Sequence, residues 1–404
     1  MTEARKRTAL VCGGGGITGG MYEIGVLRAL CDLLGDDGAN NFDMYVGVSA
    51  GSLVASLMAA GISSSELYEA VIGRESRYHP FSRSDIFSPN VREYIRRLKG
   101  APRVITEGLF AVAAGSAPTR DLIANLSGLT PSGLFSNKPM EDYVRGLFEA
   151  VGAPTRFEDM RRELYLTAVN VDTGYRVVFG ERGTKNVDIP RAVRASSTIP
   201  FLFTPTRIDG GDFIDGGFDQ NLPIDVAIRH GAELVVAINP LVPVVNAPRT
   251  MSGNIMGKEG TYLKDRGGTF ILEQAFRFLL SSRLRYSLQQ LKAQHPEVDI
   301  LLFEPRPDDL KMFSYNIMRY SARHSLLRHG YNSALATLRS EEAHYTKIFN
   351  DAGIDTNELP PAANEGHFAS FEPNMLDDLV GIVTRLPGLR RFANERGSPT
   401  QLLE

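Results

Sequence analysis

Short apolar runs bounded by glycine or polar clusters alternate, over roughly the first 240 positions, with longer stretches whose apolar residues recur every three or four positions. TALVC at 8–12 is nearly continuously apolar and ends in glycines, the pattern of a strand buried on both faces of a parallel sheet. From Thr18 to Leu34 the residues Met21, Ile24, Val26, Leu27, Leu30, Leu33 and Leu34 recur at helical spacing. A second strand is predicted at Met44–Val46, followed by a helix from about Ala50 to Met58. Further strands are predicted at Leu164–Asn170, Tyr175–Phe179 and Leu234–Asn239. Strands alternating with helical stretches predict an α/β fold, with a mostly parallel sheet and helices on both faces. No repeat recurs at the period of about 20–50 residues that marks a solenoid or propeller.

Two regions break the alternation. Residues 71–155 are helical and partly apolar but interrupted by Pro80, Pro89, Pro102, Pro118 and Pro131, and read as a helical cap insertion over one end of the sheet. Residues 241–268, rich in Pro, Gly and Asn, read as a mobile loop before a long helix from about Leu272 to Gln294. The composition of 353–375 is that of a linker, leading to a helical segment and a frayed tail after Arg396. One domain is expected over residues 5–345 and a linker plus helical extension over 346–404.

Composition narrows the class. The 404 residues carry 44 Lys and Arg against 47 Asp and Glu, a net charge of −3. That balance argues against a dedicated nucleic-acid binder, which needs a basic footprint. No run approaches the ~20 apolar residues needed to cross a bilayer. The opening MTEARKRTALVC has a basic start but lacks the apolar core of about 7–15 residues of a secretion signal. Two cysteines, Cys12 and Cys31, suit a reducing interior, so a cytoplasmic setting is expected.

Candidate chemistry begins at GGGGITGG, 13–20, between the first strand and helix. Successive backbone N–H groups at a helix N-terminus form an anion cradle, and glycine permits close approach. Alone the loop serves equally as a phosphate cradle or an oxyanion hole. Gly14-x-Gly16-x-x-Gly19 also fits a dinucleotide fingerprint, with Asp43 about where a ribose-binding acid would sit. Gly47-Val48-Ser49-Ala50-Gly51 breaks the tie. At a strand end and before a helix, this G-x-S-x-G string is a nucleophile elbow that pushes a serine hydroxyl out of the sheet.

A serine nucleophile needs a base. Of the seven histidines, His230 reads as a helix C-cap, His79 precedes a proline, and His295, His344 and His367 lie in polar stretches. His324 and His329, on a late helix, stay open on spacing alone. The better candidate is a carboxylate in RIDGGDFIDGGFDQNLPIDVAI, 207–228, where Asp-Gly-Gly occurs twice. Asp209 falls at a predicted hairpin tip and Asp215 at the end of an apolar strand pair. The spacing of Asp209, Asp212 and Asp215 lacks the alternation and closing Glu of a calcium loop, so no metal is expected.

Together these blocks resemble the patatin-like phospholipase family, whose pattern combines a Gly-rich loop (Gly14–Gly19), G-x-S-x-G (Gly47–Gly51) and D-G-G (Asp215, Gly216, Gly217) in this order. RAVRASSTIPFLFTP at 191–205 and NLPIDVAI at 221–228 also look like the family. The resemblance covers roughly residues 8–240. It implies a three-layer α/β/α fold and a Ser–Asp dyad, without histidine or cofactor, that hydrolyses acyl esters of lipids. Ser49 is then the nucleophile, Asp215 the general base in preference to Asp209, and the amides around Gly14, Gly15 and Gly16 the oxyanion hole. The chain departs from the family at Thr18, where many members carry Lys or Arg. Acyl transfer or neutral-lipid esterase activity would use the same dyad; a dinucleotide- or lipid-binding module without hydrolysis is the reading from another class.

A lipid substrate implies transient contact with a membrane surface, peripherally on its inner side. Glu273–Lys292 puts Phe276, Leu280, Leu284, Leu288 and Leu291 on one helical stripe with a net charge of +3. Such a stripe either packs on the core or lies in a bilayer interface. Residues 74–107 carry +4 and lead to an apolar run, Leu109–Ala114, expected to help form a lipid-facing lid.

Overall fold

In the computed structural model, residues 5–72, 78, 82–90, 93–95, 131–246, 262–306 and 317–360 are described. Thr8–Cys12 forms β1 at the centre of the main sheet, with all five residues buried. It pairs in parallel with β2 (Met44–Val48) on one side and β10 (Leu234–Ile238) on the other. β11 (Asp299–Phe303) extends the sheet in parallel beyond β10, and β5 (Glu163–Asn170) beyond β2. β6 (Arg176–Phe179), β8 (Thr206–Ile208) and β9 (Gly211–Asp215) add antiparallel partners at the β5 side, giving eight strands among the described residues. A separate small sheet joins β3 (Ser88–Pro89), β4 (Gly133–Ser136) and β7 (Phe201–Phe203).

The alternation along β1 sorts two cores. Leu10 and Cys12 face a large apolar cluster built with α1 (Gly16–Ala39), α2 (Ala50–Ala59), α4 (Lys138–Val151), α5 (Ile189–Ser196) and α8 (Arg323–Ser340). Ala9 and Val11 face the opposite cluster, with α6 (Ile224–Arg229) and Leu284 of α7 (Gly268–Gln294). A sheet whose strands are apolar on both faces needs helices on both, and the three layers follow. α3 (Ser64–Ile72) and α9 (Glu342–Asp351) complete the described helices, with Tyr345 and Phe349 of α9 buried. None of the described helices is long and apolar enough to cross a membrane.

α1 runs past its predicted end at Leu34 because Gly35, at φ 69°, kinks the helix rather than ending it. Within 71–155, α4 sends Val144, Leu147 and Phe148 into the main core. The Leu109–Ala114 run, most of the basic 74–107 stretch, residues 247–261 of the loop and everything after 360 lie outside the described residues.

Candidate active site

The site starts from a register. β2 pairs along the first half of β5, ending at Val48 opposite Thr167, and β9 takes over at the next position, with Asp215 opposite Ala168. The last residue of β9 therefore comes beside the residue that follows β2, which is Ser49. Ser49 itself has φ 54° and ψ −127°, a region that costs a residue with a Cβ on the order of 1–3 kcal/mol and persists only when its surroundings hold it. Three serine hydroxyls do so. Ser196 Oγ accepts from the Ser49 N–H at 2.9 Å, while Ser52 Oγ and Ser197 Oγ donate to the Ser49 carbonyl at 2.6 and 3.0 Å. Ser196 is fixed in turn by donating to Thr167 O at 2.7 Å. The flanking glycines are steric requirements. A Cβ on Gly51 would lie 2.3 Å from Cys12 O, and one on Gly47 would lie 2.5 Å from Gly51 O.

Asp215 is buried; the Gly217 N–H donates to its Oδ1 at 2.8 Å, and the Ser49 side chain lies near enough to favour its charged form. Its own N–H donates to Thr198 O at 2.9 Å. Burial pushes its pKa from the ordinary 3.8 up to about 6, against the lowering effect of Ser49 and Gly217. A carboxyl so placed is a far better proton acceptor at neutral pH than an exposed aspartate.

The glycine loop approaches from β1. Gly13 N–H donates to Ile238 O at 3.0 Å and Gly14 N–H to Asn221 O at 3.1 Å, so two amides of the run are engaged in holding it. Asn221 Nδ2 returns a bond to Gly14 O at 3.1 Å, which clamps Gly14 from both sides. Gly15 and Gly16 keep N–H groups without an acceptor among the described residues, and Gly16 has φ 62° at the start of α1. Of the three glycines expected to supply the oxyanion hole, these two have free donors. Gly19 sits a turn into α1, packed against Pro240, and its N–H donates to Gly15 O at 3.0 Å. Thr18 is buried and its hydroxyl donates to Gly15 O at 3.4 Å, so at this point of departure from the resembled pattern a short side chain braces the loop.

The other sequence candidates separate from this centre. Asp43 lies at the opposite end of β2, where its Oδ2 accepts from Thr8 N at 2.8 Å and Thr8 Oγ1 at 3.0 Å; it faces away from the glycine loop and cannot serve as a ribose ligand there. Asp209 occupies the exposed tip of the β8–β9 hairpin with φ 45°, beside Gly210 at φ 87°. His230 caps α6 as expected, stacked on the Tyr165 ring at 4.1 Å. No histidine hydrogen-bonds Ser49 or Asp215 among the described residues. Asn221, Ser52 and the Ser196–Ser197 pair hold the backbone of this candidate site and were not singled out by motif reading, although they lie inside or beside the family-like blocks.

Ser49 opens into an apolar cavity of about 60 Å³ lined by residues that include Ile17, Met21, Ile24, Leu53, Met140 and Phe203. The arrangement thus brings together a serine on a strained backbone, a buried carboxylate, the Gly15 and Gly16 amides at the start of α1, and an apolar wall.

The Patatin-like phospholipase family model matches residues 10–228, more than half of the chain. Among curated proteins, the chain is similar to the probable lipid hydrolase 463L of Invertebrate iridescent virus 6, at 22% identity over 54% of this chain and 62% of that protein. It is also similar to lysophospholipase NTE1 of Mycosarcoma maydis (27%, over 61% of this chain and 10% of that one). The human patatin-like phospholipase domain-containing protein 6 matches at 28% over 57% of this chain and 13% of that protein. The chain thus spans less than two thirds of each of these relatives. Among solved structures, VipD from Legionella pneumophila covers 83% of this chain and 67% of its own, with a TM-score of 0.36 and 16% identity. With the family model spanning β1 through α6, the chain belongs to the patatin-like phospholipase family.

Proposed function

We propose that the chain is a serine acyl hydrolase of lipid esters, cleaving fatty-acyl esters of phospholipids or lysophospholipids through a Ser49–Asp215 dyad. The observation that carries this reading is Ser49, at the lining of an apolar cavity, brought beside a buried, base-competent Asp215 by the register of β2 and β9 on β5. The names of its relatives, lysophospholipase and lipid hydrolase, support the substrate class.

In this mechanism Ser49 Oγ attacks the ester carbonyl carbon while its proton passes to an oxygen of Asp215. The developing oxyanion takes the Gly15 and Gly16 N–H groups as donors; losing one such donor typically costs ~2.7–4 kcal/mol of transition-state stabilisation. The C–O bond to the leaving alcohol then breaks, and the alcohol leaves with the proton from Asp215. Water attacks the acyl-Ser49 ester with Asp215 again as base, and the fatty acid departs as the serine hydroxyl is restored. The apolar wall excludes bulk water from the acyl chain, and burial of Asp215 sustains its raised pKa.

The test is fatty acid released from vesicles of mixed phosphatidylcholine and lysophosphatidylcholine, by wild type and by Ser49→Ala. Release by wild type alone is the expected result; equal release by Ser49→Ala would overturn the assignment of the nucleophile.

A further inference from the structure

Helix α7 is turned inside out over its first half. Gln274, Arg277 and Ser281 are the buried residues there, whereas Leu272, Phe278 and Leu279 are 59%, 56% and 68% exposed. Ile271 and Phe276 are exposed with them. A helix on a protein surface ordinarily buries its apolar stripe. This one is pinned the other way by directed bonds. The Gln274 side chain accepts from Val244 N at 3.1 Å and donates to Val244 O at 2.9 Å, and Arg277 Nη1 donates to Val242 O at 3.1 Å. Those bonds set the rotation of the helix about its axis, so the outward display of leucine and phenylalanine is a built feature. Further along, Leu284 is buried and Leu288 and Leu291 pack on the same core cluster, as the sequence stripe predicts.

The exposed face runs up to the site. Phe276 meets Phe218 edge to face, with centroids 5.8 Å apart, and Phe218 is itself exposed on the turn Gly216–Phe218 that directly follows Asp215. Cations contribute little to it. Arg277 is held inward by Glu273 at 2.6 Å, the exposed Arg283 pairs with Asp219 at 2.8 Å, and Arg285 and Lys292 are exposed farther down the helix. An apolar patch of this kind bordered by a few cations matches the boundary between acyl chains and headgroups better than the surface of an acidic partner.

We propose that the outer face of α7, with Phe218, is the surface by which this chain seats on a lipid bilayer, so that an ester drawn from the membrane enters beside Asp215. The proposal deepens the lipid acyl hydrolase reading and rests on it for the identity of the partner. Seating is driven by apolar contact and depends only weakly on salt.

The experiment is co-sedimentation of the full chain, carrying Ser49→Ala so that no lipid is consumed, with phosphatidylcholine vesicles at 0.1 M and 0.5 M NaCl (chosen as ~1 and ~0.4 nm screening lengths). Replacing Leu272, Phe278 and Leu279 together by serine is expected to weaken vesicle binding at least about a hundredfold, whereas the salt change shifts it less than about threefold. The same triple replacement on the Ser49-containing chain should leave hydrolysis of a dissolved short-chain nitrophenyl ester within about twofold of wild type, which reports an intact fold and dyad. Unchanged vesicle binding by the triple variant would overturn the proposal. So would a wild-type dimer in sedimentation velocity that the triple variant loses, since the face would then join two copies of the chain. Because vesicle binding is read without turnover, failure of the docking surface and failure of the hydrolase reading are separate results.

Discussion

Replacing Asp215 by asparagine should inactivate the protein and stabilise it in the same step. Asparagine keeps an Oδ1 to accept from the Gly217 N–H, so that donor remains satisfied, while the buried charge is removed. The folded pKa is raised from 3.8 to about 6, so the neutral carboxyl is the form the fold favours. Stability from that preference is fully present below about pH 3.8 and is lost as pH rises to about 6, above which the folded protein holds a charge that burial disfavours. At ~1.4 kcal/mol per tenfold change in a proton equilibrium, the full loss is about 3 kcal/mol. Asp215→Asn should therefore exceed wild type by up to about 3 kcal/mol in urea unfolding at pH 7.5, with the difference narrowing toward zero near pH 4. The same value fixes the activity profile. Wild-type kcat/KM should rise about tenfold per pH unit below pH 6 and level off above 7. An inflection near pH 4, or an asparagine variant no more stable than wild type at pH 7.5, would refute the claim that Asp215 is a desolvated base.

Three further outcomes follow from the same geometry. Ser49→Gly relieves the positive φ at the elbow, and should abolish turnover while raising stability by about 1 kcal/mol in denaturant unfolding; a loss of stability would show that the backbone there is not strained. Asn221→Ala frees Gly14 from its side-chain clamp, and should lower kcat by about 10–100-fold through a displaced oxyanion loop with KM little changed; unaltered kcat would remove Asn221 from the positioning machinery. Glu23 is fully buried in α1, and neither of its oxygens has a hydrogen-bond partner among the described residues. Burial holds its pKa well above the ordinary 4.5, with the Gly13 amide opposing this less strongly. Its neutral form thus contributes stability that is complete below pH 4.5 and is lost as pH rises, so Glu23→Gln should raise the thermal midpoint at pH 8 and leave it nearly unchanged at pH 4.5.

The elements that were readable from the chain are those whose cause is local. β1, β2 and β10 are apolar runs between turn-forming clusters, and Gly47 and Gly51 flag the elbow because no other residue fits the close approach of Cys12 and Gly51 backbone. Asp209 reads as a hairpin tip for the same reason, two successive residues at positive φ. What escaped depends on partners distant in sequence. Ser196 holds the Ser49 amide from 147 residues away, and a hydroxyl on a backbone N–H leaves no periodic trace. Gly14 reads as an oxyanion donor until Asn221 O is found on its N–H. The α7 stripe was legible only in its second half. Over 274–281 the free backbone groups of Val242 and Val244 require polar partners, and that demand overrides the hydrophobic pattern.

The central claim is that Ser49 is a nucleophile activated by Asp215. The most direct measurement is covalent labelling by a fluorophosphonate, followed by peptide mass mapping, in wild type, Ser49→Ala and Asp215→Asn. One adduct per chain on Ser49 in wild type, none in Ser49→Ala, and labelling slowed by at least about a hundredfold in Asp215→Asn is the predicted result. An adduct on another residue, or labelling of Asp215→Asn at the wild-type rate, would contradict it.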